Sequence, residues 1–110
     1  MLIERKKTFV LITGEENTFS DFFNAFLKDQ KEIEKENIVV QIPETIKATS
    51  EDFFSFVNIA EQKKQNGTSF VLINSTLNIS DFPDYLNIVP TFQEAEDVIE
   101  MEIIERELGF

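Results

Sequence analysis

The chain reads as an α/β sandwich: a mixed, largely parallel sheet of about four to five strands packed against about three to four helices. Two observations lead there. Short β-branched and aromatic runs alternate with amphipathic segments along most of the chain. The central runs Ile38–Ile42 and Ser69–Asn74 are apolar nearly throughout instead of alternating, as strands covered on both faces are. A length of 110 residues suits one domain, residues 1–110.

Leu2–Arg5 and Thr8–Thr13 are the first two predicted strands, with Gly14 turning the chain after them. Thr18 and Asp21 have capping-box spacing and predict a helix start. Phe19, Phe22, Phe23, Phe26, Leu27 and Ile33 then fall on one helical face, and the helix is expected to end near Glu36-Asn37. Ile38–Ile42 is the next strand, stopped by Pro43. A second helix is predicted to begin at Thr49 or Ser50, with Glu51 and Asp52 in its positive first turn and Phe53, Phe56, Val57 and Ala60 buried. Lys63 and Lys64 lie near its negative end, and Asn66-Gly67 signals its C-cap. Ser69–Asn74 completes a strand–helix–strand unit of parallel type. Ser75 to Leu86 is predicted irregular, with a turn at Asp81–Asp84. Asn87–Val89 is a last short strand. Thr91 and Glu94 form another capping box, opening a final helix with Phe92, Ala95, Val98, Ile99 and Ile103 inside.

Composition limits the chemistry. Ten Lys+Arg against 21 Asp+Glu give a net charge of −11, with no His and no Cys. Disulfides, thiolate zinc sites and cysteine nucleophiles are excluded, and so are the commonest general base and the commonest transition-metal ligand. A net negative charge opposes nucleic-acid backbones and anionic membrane surfaces, so neither is expected as a partner. No apolar run approaches the ~20 residues of a membrane helix. The first residues lack the apolar stretch of a signal peptide, and a cytoplasmic location is expected. Gly14, Gly67 and Gly109 are isolated, so no phosphate-cradling loop is formed. No cofactor and no catalytic residue is expected.

One stretch resembles a known family. Ile38-Val39-Val40-Gln41-Ile42-Pro43, followed by Glu44 to Asp52, is similar to the centre of a STAS domain, the domain of sulphate transporters and anti-sigma-factor antagonists. The family pattern there is an apolar strand, a loop, then Asp-Ser-Ser/Thr-Gly opening a helix. Gly67, Asn74 and the Pro90-Thr91-Phe92-Gln93-Glu94-Ala95 helix start also resemble the family. At the signature Thr49 stands for Asp, Ser50 matches the phosphorylated Ser, Glu51 replaces the second hydroxyl residue and Asp52 replaces Gly. The resemblance implies a STAS-like sandwich and a non-catalytic, regulatory protein-interaction module. It also implies a kinase-like anti-sigma factor as partner, with Thr49, Ser50, Glu51 and Asp52 as phosphoacceptor position and docking loop.

Each candidate has a plainer reading. Ser50 is expected to cap its helix, a role Thr49 could also fill, and Glu51 and Asp52 would repel an added phosphate. The carboxylates of the last helix read as a solvated face, or as a docking surface for a basic partner. The Phe residues read as core. A homodimerising or scaffold subunit without a switch is a further expectation. The competing class is a small nucleic-acid-processing enzyme of the ribonuclease Z type. That family holds two zinc ions with His and Asp, and this chain has only carboxylates to offer.

Overall fold

The structure, a computed structural model, describes residues 1–76 and 82–109. Among them are β1 (Leu2–Arg5), β2 (Val10–Thr13), α1 (Phe19–Ile33), β3 (Ile38–Gln41), α2 (Ser50–Phe54), α3 (Val57–Gln65), β4 (Phe70–Ile73), β5 (Asn87–Val89) and α4 (Phe92–Glu107). The strands form one sheet in the order β1-β2-β3-β4-β5. β1 pairs antiparallel with β2, and the other three pairings are parallel. The fold is thus the predicted mixed, largely parallel α/β arrangement.

Register sorts the apolar strand residues onto two faces. Ile12, Val40, Leu72 and Ile88 are successive cross-strand neighbours. With Val10, Ile38 and Phe70 they meet Phe22, Phe26, Phe53 and Phe56 from α1, α2 and the turn into α3. Leu11, Val39, Val71 and Ile73 point the other way, onto Ala95 and Ile99 of α4. Both faces being covered is why β3 and β4 carry no polar alternation.

The predicted second helix is two helices. Ser55 N–H donates to Asp52 O (3.0 Å) and Phe56 N–H to Phe53 O (3.1 Å), three-residue bonds that tighten the chain where a single helix was expected. Phe56 sits in the break, fully buried, with its ring centroid 5.2 Å from Phe23 and 5.7 Å from both Phe26 and Phe70. Such an aromatic cluster outweighs the helix bonds it displaces, since burying one Phe stabilises by roughly 1.5–3 kcal/mol.

Local signals elsewhere behave as read. The Thr18 and Thr91 side chains accept from Asp21 N–H and Glu94 N–H at 3.1 and 3.2 Å. Gly67, at φ +77°, ends α3: its N–H reaches Lys64 O at 3.2 Å and Thr68 N–H reaches Lys63 O at 2.9 Å. That paired closure requires a left-handed residue, hence glycine. Gly14 serves close approach instead, because a Cβ there would meet Ile46 Cδ1 at 2.7 Å. Two readings are corrected. α1 stops at Ile33, short of Glu36-Asn37. Leu27 is 43% exposed because it lies a third of a turn beyond Phe26, past the edge of the buried stripe. The expected turn at Asp81–Asp84 begins outside the described residues, where positions 77–81 of the irregular stretch lie. Within them, Leu86 N–H closes on Pro83 O at 3.0 Å.

Candidate functional site

The segment Thr49–Asp52 stands just beyond the carboxyl end of β3, the end where crevices form in open parallel sheets. Ile42 and Ile46 pin the loop that leads to it, and Phe53 pins α2 from below. Thr49, Ser50, Glu51 and Phe54 remain exposed. The helix cap is Thr49, not Ser50. Asp52 N–H donates to Thr49 Oγ1 (3.2 Å), and Thr49 N–H donates to Asp52 Oδ2 (2.9 Å). The extended backbone of Thr49 allows this reciprocal closure, whereas Ser50 already has helical geometry as the first residue of α2. Asp52 is therefore occupied as a cap acceptor, and Ser50 presents its hydroxyl outward. Phe54 stacks on Phe82 with centroids 4.5 Å apart, which holds an exposed aromatic surface beside Glu51.

The opposite end of the sheet holds a polar network with no local sequence signature. Asn37 Nδ2–H donates to Thr8 O (3.0 Å), and Asn37 Oδ1 accepts from Ser69 N–H (2.8 Å) and Arg106 Nη2–H (3.2 Å). Arg106 Nη1–H also donates to the buried Ser69 Oγ (3.0 Å). One amide thus ties the starts of β2, β3 and β4 to the end of α4. Beside it, Lys63 is buried and donates from Nζ to the carbonyls of Ile33, Glu34 and Glu36 at 2.9, 3.1 and 2.6 Å. It caps α1 and not its own helix, contrary to expectation. Burial pushes its ammonium down to about 8, against the pull of Glu36 and Glu34, which favour the charge.

Cavities open at this same end. One of about 470 Å³ sets Lys64 and Arg106 against Asp84, Glu102 and Glu105. Another of about 360 Å³ gathers Arg5, Lys6, Lys7, Lys35 and Arg106 around Glu36. Half of the chain's ten cations therefore meet in one place. Arg5 is already held by both Glu36 oxygens (2.6 and 2.8 Å), and Arg106 by Asn37 and Ser69, so much of that charge is used inside the fold. Sequence reasoning missed the cluster because Lys35 and Arg106 lie far along the chain from the Arg5–Lys7 run that they join.

Among the described residues no group of three or more carboxylates is arranged to hold a metal ion. No helix there is long and apolar enough to cross a membrane. α4 is less uniformly solvated than its carboxylates imply, since Met101, Ile104 and Leu108 also face outward. No protein-family model and no curated protein matches this chain.

Proposed function

We propose that this chain is a non-catalytic protein-interaction module resembling the STAS domains of anti-sigma-factor antagonists, acting in the cytoplasm through its Thr49–Phe54 surface. One observation carries the reading: α2 is anchored by the buried Phe53 yet offers Thr49, Ser50, Glu51 and Phe54 to solvent. A rigidly seated, exposed, mixed polar and aromatic patch suits recognition by another protein. The arrangement of the sheet is compatible with the resemblance.

In this reading the module binds constitutively. Glu51 places a fixed negative charge next to Ser50, where a phosphate would be repelled. Capture from a native lysate with the tagged chain tests the proposal. A discrete protein partner should be retained by wild type, Ser50→Ala and Ser50→Asp alike, and lost by Glu51→Lys and Phe54→Asp. Binding that follows phosphate on Ser50 would replace the constitutive reading with a switch. Metal-dependent cleavage of RNA by the purified chain would replace the module with the enzyme alternative.

A further inference from the structure

α4 is an amphipathic helix twice over. Its inner stripe, Ala95 and Ile99 with Phe92, Val98 and Ile103 beside them, covers one face of the sheet. Its outer face carries Met101, Ile104 and Leu108, which are 61%, 54% and 66% exposed. Their i, i+3, i+7 spacing places Met101 and Ile104 on one line along the helix that Leu108 extends at its C-cap. A solvated helix face gains nothing from three large apolar side chains in register, and contiguous exposed apolar surface marks an interaction site.

The surroundings specify what would cover it. α4 holds seven carboxylates against the single cation Arg106, a net of −6. Glu94, Asp97, Glu100, Glu105 and Glu107 are exposed around the apolar line, while Arg106 turns inward to Asn37 and Ser69. The outer face is thus an apolar strip framed by excess negative charge, with only Glu105 of these also lining the cavity that holds Lys64 and Arg106. A second copy is a poor occupant. Packed helices approach to about 8–10 Å between axes, comparable to the ~8 Å Debye length at physiological salt, and their flanking carboxylates come closer still, so two such faces would repel each other.

We propose that the outer face of α4 docks a basic amphipathic helix, one with an apolar stripe at i, i+3 and i+7 and Lys or Arg on both flanks. This rests on the interaction-module reading and adds a second surface to it. Burial of the stripe supplies affinity, and the framing carboxylates select cationic partners and speed their approach.

The full chain can be titrated calorimetrically at physiological salt with a synthetic peptide of about 18 residues, long enough to hold a helix when bound. The peptide carries Leu at the stripe positions and Lys on the flanks. A scrambled peptide of identical composition controls for bare charge. The patterned peptide should bind about tenfold tighter or better, since removing apolar anchors costs at least that much. Met101→Ser/Ile104→Ser/Leu108→Ser should erase the difference while leaving the melting temperature within a few degrees. Amide chemical-shift changes in the wild-type chain should centre on Asp97–Leu108, a readout independent of whether the triple variant folds. Equal binding of both peptides, or shifts elsewhere, would overturn the assignment. So would a dimer of the chain that the triple variant dissolves, because the occupant would then be a second copy. A native partner lost by Phe54→Asp but kept by the triple variant, together with equal binding of both peptides, would preserve the module and overturn the α4 surface. Patterned binding on α4 with no native partner captured would support the surface and count against the module.

Discussion

The Nζ of Lys63 lies 2.6 Å from the main-chain carbonyl oxygen of Glu36, at the end of the turn that follows α1. Two further carbonyls, of Ile33 and Glu34, complete its donor set. A buried ammonium with three acceptors satisfies its own charge and serves carbonyls at and beyond the end of α1, of which Ile33 O also accepts from Glu36 N–H (3.1 Å).

Lys63→Met keeps the aliphatic stem and removes the donors. It is expected to destabilise the chain by about 1–3 kcal/mol, the range for leaving a buried polar group without its partner. Relief of a buried charge works against the loss, so the lower half of that range is the better expectation. Urea unfolding at neutral pH measures it, and an unchanged midpoint would show that water caps α1 equally well.

The same residue sets a pH dependence. Its folded value is about 8, while an unfolded lysine titrates near 10.4. Between these values the unfolded chain binds the proton that the folded chain has released, so this contribution makes stability rise with pH. The stability gap between wild type and Lys63→Met should therefore widen from about pH 8 to pH 10. Other lysines titrate in both proteins and cancel in the difference. A gap that narrows over that interval would place the Lys63 value above its unfolded one.

Capping at α2 separates two adjacent hydroxyl residues. Thr49→Ala should cost roughly 0.5–2 kcal/mol, because the reciprocal bonds with Asp52 are lost. Ser50→Ala, at an exposed position inside the first turn, should stay within about 0.5 kcal/mol. Thermal melts of the two variants decide the point, and a larger loss at Ser50 would move the cap by one residue.

Net charge should be visible in salt. A charge of −11 on this chain, with −6 concentrated on α4, disfavours the compact state by self-repulsion. The melting temperature should climb from low salt to about 0.3 M NaCl as the Debye length falls below ~10 Å. A flat curve would indicate that the α4 carboxylates are locally compensated.

Much of this protein is legible along the chain because the signals are local. Thr18 and Thr91 cap helices through the amide three residues on, and Gly67 closes α3 through its own left-handed backbone. The apolar runs Ile38–Gln41 and Phe70–Ile73 declare strands covered on both faces, and alternation along them divides the two cores. Around Thr49–Asp52 a cap was readable, but the choice between two neighbouring hydroxyls was not. It depends on which residue adopts the extended backbone, and that follows from where Ile46 and Phe53 are pinned in the core.

What needed three dimensions are relations between residues distant in sequence. Lys63 reads as the end of its own helix, and only the packing of α3 against the end of α1 turns it inward. Asn37, Ser69 and Arg106 carry no shared motif, yet strand register brings them within hydrogen-bond reach. The outward line of Met101, Ile104 and Leu108 was hidden for a related reason. Apolar residues on two sides of a helix cancel in any periodicity, and which side is inner depends on the face of the sheet that the helix covers. Local backbone chemistry is written residue by residue, whereas burial and charge pairing are properties of surfaces that exist only once the chain has folded.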